Sequence, residues 1–432
     1  MALTIPAFRY TSESFAALEH DRLWPRVWQF ACSLDHVAQP GDFHELRVGP
    51  LSVLLIRGAD GVLRAFQNAC RHRGSALCEG TGEGLAEIRC PFHRWTYDLD
   101  GRLREVPSRK EFGVLDSETS GTALVPVRVD TWGPLAFVNL DLDAEPLADF
   151  LNEVVDDSGW ARLDEFHCTA AASVPARCNW KTLIDGFSET YHVQGIHREM
   201  LPMCDDVNGP QRVWHRHGKL RQSYGLPSPR LRNTPDDQRV WEAFVEVMGV
   251  RVGNEAQAEA GPAPVVPPGG TIRGAIAQIV RRRGIDAGHD WFQDLGDGQL
   301  LDMSQYNLFP NLTVLVFADM LQIVRARPGS TPDDAYMDAF SFSRVAPAAG
   351  VGRSKPIDVE LSPDEELPIG LILNQDFANF ARSQRGLHQP GFTELRVSAT
   401  EECRIVNLHR NLEEYLGITP TEVRTLGQEF GS

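Results

Sequence analysis

The chain has 432 residues, 42% hydrophobic and 23% charged, with a formal net charge of −17. Such a chain makes two or three globular domains with sizeable cores, and its acidity excludes nucleic acid, whose phosphates need clustered positive charge. The longest apolar runs, such as LTVLVFADML from position 312, fall far short of the roughly 20 residues that span a bilayer. The first thirty residues mix acids, bases and a proline and carry no secretion signal, so a cytoplasmic protein bound to no membrane is expected.

In chain order, SFAALEHDRLWPRVWQF reads as a helix ending near Ala31, within an N-terminal segment (1–41) expected to pack on the last domain. From 42 to 155 short strands follow one another (FHELRV, SVLLIR, LRAFQN, then WTYDLDGRL, VPVRVD and LAFVNL), separated by turn signals such as GADG at 58–61, which predicts a small all-β domain. Region 156–432 mixes strands (QYNLFPNLTVLVF, AYMDAFSFSR) with helices (NWKTLIDGFSETYH, LILNQDFANFARSQ). Within it, GNEAQAEAGPAPVVPPGG (253–270) has no periodicity; a solvated insertion and a flap over a pocket both fit such a loop.

Eight cysteines are scattered at 32, 70, 78, 90, 168, 178, 204 and 403, and disulfides are not expected in this context. Only two of them have histidine at metal-ligand spacing, Cys70-x-His72 and, seventeen residues on, Cys90-x-x-His93. Zinc is the competing reading, since Cys₂His₂ tetrahedra are common. Zinc fingers, however, pair Cys with Cys and His with His, whereas each short loop here holds one of each. That alternation suits a Rieske [2Fe–2S] cluster, with both thiolates on one iron and both imidazoles on the other. Neutral imidazoles raise the cluster potential to about −150 to +300 mV, so it accepts electrons from a low-potential donor.

A cluster of this kind only passes electrons, and NWKTLIDGFSETYHVQGIH (179–197) offers a destination. Glu189 and His192, three apart, share one face of a helix. His197 joins His192 on one ion only if the helix ends between them, and Gly195 is placed to end it. Two histidines and a distant carboxylate make the facial triad of non-haem Fe(II) oxygenases; a hydrogen-bonded pair of core histidines is the alternative. The carboxylate candidate is Asp376 in LNQDFANFARSQRGL, costly in an apolar helix unless paired or metal-bound. A helix-capping aspartate is its alternative.

The run FQNACRHRGSALCEGTGEGLAEIRCPFHRWTYDLDGRL resembles the Rieske domain of bacterial ring-hydroxylating oxygenase α subunits, departing at Cys78 and at Arg94, where that family usually has Gly. NWK at 179–181, Glu189, Tyr191, His192, His197, Asp376 and QRGL at 384–387 repeat the order of its catalytic domain, so the resemblance covers about residues 20–415. Gly186 replaces an Asn common in this run. The resemblance implies an α+β protein, an all-β Rieske domain (42–155) followed by a helix-grip (START-like) catalytic domain (156–432) with an antiparallel sheet. It implies a cluster on Cys70, His72, Cys90 and His93 and a mononuclear Fe(II) on His192, His197 and Asp376. Glu189 then bridges a Rieske histidine of one subunit to an iron-bound histidine of the next, within a head-to-tail homotrimer, with or without a small β subunit.

The expected reaction is O₂-dependent hydroxylation, dihydroxylation or demethylation, with NAD(P)H electrons arriving through a separate flavin reductase or ferredoxin, because the chain holds no GxGxxG or flavin motif. Phe187, Met200, Met203, Phe309, Phe317, Leu373 and Phe380 are the pocket candidates. Their apolar character points to a hydrophobic, aromatic or polycyclic substrate and a role in aromatic hydrocarbon catabolism. Glu189, found in several family members acting on quaternary amines, points instead to mono-oxygenation of such an amine. A zinc-stabilised binding protein and a pure electron carrier are the readings from other classes. Arg71, Arg73, Arg89, Arg94, Arg102 and Arg104 crowd the cluster loops of this acidic chain; Arg71 and Arg73 are expected to pair with local acids, and Arg94 to extend a docking patch for an acidic redox partner.

Overall fold

The computed structural model describes residues 2–113, 121–254, 259–344, 356–362 and 371–418. They fall into two compact units, one formed by the chain up to Ala16 and from Asp156 onward, the other by Ala17–Val155.

A strand at Ala2–Pro6 opens the chain, helices α1 (Phe8–Thr11) and α2 (Glu13–Arg22) come next, and a strand follows at Gln29–Ser33. The single helix expected to Ala31 therefore stops nine residues early. Pro25 explains the stop, because it lacks an N–H and clashes with the preceding turn, and the fully buried QFACS then pairs with Leu135–Asn139 instead.

In the smaller unit, seven strands form an antiparallel sheet in the order Gln29–Ser33, Leu135–Asn139, Pro126–Trp132, Leu63–Gln67, Leu51–Arg57, Phe43–Val48, Thr81–Gly82. A three-stranded sheet (Ile88–Arg89, Thr96–Tyr97, Leu103–Glu105) completes it. Leu54, Ile56, Phe66, Ile88, Trp95 and Tyr97 form one buried cluster with Cys70 and Cys90, so both cysteines belong to this core.

The larger unit is built on a nine-stranded sheet, antiparallel throughout its long central run from Gly218–Tyr224 to Phe166–Ala176. Only its edge strand, Ile357–Glu360, lies parallel to its neighbour. Helices α3 (Trp180–Gly186), α4 (Val193–Ile196), α5 (Asp237–Met248), α6 (Leu371–Leu387) and α7 (Cys403–Leu416) accompany it. The NWK triplet explains the start of α3. The Asn179 side chain accepts the Lys181 N–H as an N-cap, while Lys181, wholly buried, lies 4.8 Å from the Trp180 ring centroid and 5.3 Å from that of Phe15, a cation–π setting.

Gln384 of the QRGL segment fastens α6 to α3. Its Oε1 accepts from the Asn179 N–H at 3.0 Å and the Thr182 hydroxyl at 3.1 Å, and its amide donates to the Tyr10 carbonyl and the Asp333 carboxylate. The two sequence signatures thus meet through one side chain.

The loop expected at 253–270 is present, though residues 255–258 of it lie outside the described residues. Its described part is not a detached flap. Trp241 donates to the Ala260 carbonyl, Gln238 donates to the Gly261 carbonyl and accepts from Ala263 N–H, and Ala260, Ala263 and Val266 pack on the core. Small side chains and proline-extended backbone let the segment lie flat against α5.

Candidate metal centres

The two loops of the smaller unit close in the same way. Cys70 N–H donates to the Ser75 carbonyl and Gly74 N–H to the Cys70 carbonyl, both at 2.8 Å. Cys90 N–H donates to the Trp95 carbonyl at 2.8 Å and Arg94 N–H to the Cys90 carbonyl at 3.1 Å. Each loop therefore needs a left-handed residue four positions after its cysteine, and Gly74 (φ 77°) and Arg94 (φ 64°) supply it. Glycine adopts this conformation freely and arginine at a cost of roughly 1–2 kcal/mol, which explains the Gly usual at position 94 in the resembling family.

Inside these loops the sulfurs are buried, Cys70 3% and Cys90 1% exposed. Burial pushes both thiols up; at Cys90 the backbone amides of His93 and Phe92 outweigh it and leave the thiol lowered, whereas Cys70 stays raised despite the Tyr97 hydroxyl 3.3 Å from its Sγ and the His72 amide. Such donors stabilise thiolate charge, as a cluster ligand requires. The His72 and His93 rings lie 4.6 Å apart, and His72 stacks on Trp95 at 4.9 Å and 7°. His72 Nδ1 is buried with no hydrogen-bond partner, the state of a nitrogen that ligates a metal. Among the described residues, three or more ligand atoms within 4.8 Å of one another occur only at His192, His197 and Asp376. Cys70, His72, Cys90 and His93 do not form such a group.

Of the six arginines, Arg89, Arg102 and Arg104 pair with Glu87, Asp100 and Glu87/Asp98. Among the described residues Arg71 and Arg73 pair with no acid, while Asp116 and Glu118 lie outside the described residues. Arg71 donates to the Gly121 carbonyl, while Arg73 reaches His93 Nε2 at 2.6 Å and lies over the Phe92 ring. Arg94 is exposed, and no acid pairs with it among the described residues.

The second centre lies in the larger unit. Helix α3 ends at Gly186 rather than at Gly195, which sits inside the single turn of α4. A turn through Phe187–Tyr191 then sets His192 and His197 at the two ends of α4, so a one-turn helix, not a helix stop, brings them together. Their rings are 5.2 Å apart. Asp376 is the sixth residue of α6 and 5% exposed, which removes the capping alternative. Its Oδ1 lies 2.9 Å from His197 Nε2 and 3.6 Å from His192 Nε2, close to the roughly 3 Å between adjacent ligands of an octahedral ion bound at about 2.1 Å.

Both imidazoles are held from behind. His192 Nδ1–H donates to Glu189 Oε1 at 2.6 Å, and Glu189 Oε2 also accepts the His192 backbone N–H. His197 Nδ1–H donates to Gln375 Oε1 at 2.6 Å. Each Nε2 lone pair therefore faces the shared centre, the tautomer a metal needs. Burial alone would push the His192 pKa down, but the hydrogen bond and charge of Glu189, with Asp376, leave it raised.

The seven pocket candidates divide. Met200, Met203 and Phe317 belong to the hydrophobic core that packs on α5. Phe309 lines a cavity of about 20 Å³ with Ser188, Asn307 and Arg404, room for a single water. Leu373 and Phe380 flank Asp376 on α6, and the Phe380 ring meets Phe187 at 6.0 Å.

Two participants carry no signal in the sequence. Gln375, beside Asp376, orients His197. Arg404, 3% exposed, donates to Asn307 Oδ1 at 2.7 Å, leaves Nε and Nη2 without partners, and has its pKa pushed down to about 10 by burial, against the pull of Cys403 and Glu189. It supplies buried positive charge near Glu189 and His192.

A hydrogen-bonded chain runs from α3 outward: Asp185 accepts from the Tyr10 hydroxyl at 2.6 Å, Tyr10 meets His409 at 2.8 Å, and Arg9 joins His409 to Glu413. Burial pushes the Asp185 carboxyl up to about 7, against the Tyr10 bond and the Lys181 charge and with Glu402 and Glu189. The folded protein thus binds this proton where the unfolded chain has lost it, so the stability it contributes is full below about pH 4 and gone once pH passes about 7. Asp185→Asn should flatten the decline of Tm between pH 5 and 8, measured by calorimetry. An unchanged slope would show that Asp185 titrates normally.

Among the described residues, no helix is long and apolar enough to cross a membrane. The family model of the ring hydroxylating alpha subunit (catalytic domain) matches residues 163–418, and that of the Rieske [2Fe-2S] domain residues 27–127. The carnitine monooxygenase oxygenase subunit of Escherichia coli K12 is 30% identical over 53% of the chain and 60% of its own length. The glycine betaine monooxygenase oxygenase subunit of Pseudomonas aeruginosa is 31% identical over 49% of each. The chain thus spans 60% or less of the length of these curated relatives. Among solved structures, the quaternary ammonium Rieske monooxygenase CntA in complex with L-carnitine superposes with a TM-score of 0.65 at 18% identity, covering 95% of both chains. Naphthalene 1,2-dioxygenase from Rhodococcus bound to indole gives 0.65 at 18%, covering 96% of this chain and 95% of its own; at that identity the likeness is one of fold.

Proposed function

The chain belongs to the ring-hydroxylating oxygenase α-subunit family, and from that premise we propose that it is the terminal component of a Rieske mono-oxygenase acting on a quaternary ammonium compound. The observation that carries the reaction class is the convergence of His192, His197 and Asp376. Three ligands on one face leave positions open for O₂. The carnitine and glycine betaine relatives favour the amine over the aromatic or polycyclic hydrocarbon, and a role in aromatic hydrocarbon catabolism has no support from them.

In this reading, residues 42–155 hold the [2Fe–2S] cluster on Cys70, His72, Cys90 and His93, and 156–432 hold Fe(II) on His192, His197 and Asp376. The bound iron supplies O₂ activation, and the cluster supplies electrons received from an NAD(P)H-dependent reductase or ferredoxin. One oxygen atom enters the substrate and the other leaves as water. The chain's own groups do the positioning: Glu189 and Gln375 fix both ring orientations, and Glu189 reaches across to a Rieske histidine of the next subunit in a head-to-tail homotrimer. The test has two arms. Purified protein should be brown and hold about three irons per chain, and carnitine, glycine betaine or choline should couple NADH use to product. Zinc in place of iron, or coupling only to aromatic hydrocarbons, would overturn it.

Arg94, exposed and without an acid partner among the described residues, is the docking cation for an acidic redox partner. Arg94→Glu should raise the apparent KM for that partner several-fold at low ionic strength, with the gap closing as salt rises. A KM unchanged at every salt concentration would rule the docking role out.

A further inference from the structure

Gly186 ends α3 where the resembling family commonly carries Asn, and the structure shows what its missing side chain allows. A Cβ built there would lie 2.6 Å from Cε1 and 3.1 Å from Cζ of Phe380, inside the roughly 3.5–4.0 Å of a carbon–carbon contact. The Phe380 ring therefore rests on bare backbone. It is 7% exposed and sits one helical turn beyond Asp376 on the same face of α6. Its centroid lies 6.0 Å from Phe187 at 54° and 6.4 Å from Phe377 at 86°, tilted and edge-on arrangements that aromatic rings favour. Phe187 directly follows Gly186, two residues before Glu189. Three rings thus gather about one turn from a metal-ligating carboxylate, and no cation lies over them among the described residues.

We propose that Gly186 and Phe380 act as one specificity element: the absent side chain seats the Phe380 ring on the end of α3, where with Phe187 and Phe377 it presents an aromatic face that receives a methylated ammonium group. Aromatic faces attract such cations through the ring quadrupole, and Phe380 stands one helical turn from Asp376. A side chain at 186 evicts the ring and opens the wall. The assignment of the ligand rests on the quaternary-ammonium reading; the steric coupling does not.

The test is a double-mutant cycle of Gly186→Ala and Phe380→Leu on the iron-loaded enzyme. Leucine lacks the Cε1 and Cζ atoms that a Cβ at 186 would strike. Gly186→Ala should lower Tm in the wild-type background and have little effect beside Phe380→Leu; equal effects in both backgrounds would overturn the coupling. Calorimetric binding of choline and of its uncharged isostere 3,3-dimethyl-1-butanol reads the ligand. Wild type should favour choline, and Phe380→Leu should cut that preference on the order of tenfold. A preference unchanged by Phe380→Leu would overturn the aromatic recognition alone. A wild type that binds neither compound would overturn the substrate class itself, with the thermal cycle still judging the packing.

Discussion

Asp376→Ala yields a protein that is still brown, holds about two irons per chain in place of about three, and has lost turnover on the order of 10³-fold or more. The expectation follows from the separation of the two ligand sets. Asp376 stands on α6 with both histidine Nε2 atoms within 3.6 Å of its Oδ1, and the set draws no ligand from the cysteine loops. Its removal takes the anionic ligand from the triad and leaves Cys70, His72, Cys90 and His93 untouched. Iron quantitation with the visible spectrum checks the result. A variant that keeps all its iron, or loses its colour with it, would show that Asp376 is no ligand or that the centres assemble as one. Among the described residues the partner of Asp376 Oδ1 is His197 and not a backbone amide, so this loss is not the loss of a cap.

Glu189→Gln separates electron arrival from electron use. Gln preserves an oxygen for His192 Nδ1–H, but its amide opposes the backbone N–H that Glu189 Oε2 now accepts, and the negative charge is gone. Product formation should fall about 10–100-fold, the range for loss of a group that orients a metal ligand. The cluster should still be reduced by the redox partner at the wild-type rate, followed by bleaching in the visible, and the iron count should stay near three. If cluster reduction slows in step with turnover, Glu189 acts on docking of the partner rather than on transfer to the iron site. Arg404 sharpens the outcome: with Glu189 neutral, its buried cation loses the negative charge that partly offsets the burial penalty.

Much of this was legible in the residues because metal chemistry constrains spacing more tightly than packing does. The Cys-x-His and Cys-x-x-His loops and the pair at 192 and 197 are local patterns, and Asp376 stood out as a carboxylate in an apolar helix. What escaped was decided by tertiary contact. The strand at Gln29–Ser33 reads as helix until Pro25 and its pairing with Leu135–Asn139 are weighed. Gly195 looked like a helix stop, yet the chain had already turned at Gly186, where the Phe380 ring packs. Gln375 and Arg404 are ordinary helix residues whose roles depend on partners 178 and 97 positions away. Arg94 stood out as a departure from the usual Gly, and the backbone shows why Gly is usual there: a left-handed conformation shared with Gly74.

The clamp made by Gln384 bears on how the iron is acquired. With α3 and α6 tied together by one amide, the helix bearing Asp376 is anchored to the one that leads into the histidines before any ion arrives. The ion meets a socket already cut to shape, so its departure need not undo the fold around it. Iron stripped by a chelator should then be restorable by simple incubation with ferrous salt, and a slower or inert divalent ion could be seated in its place as a spectroscopic reporter of substrate binding.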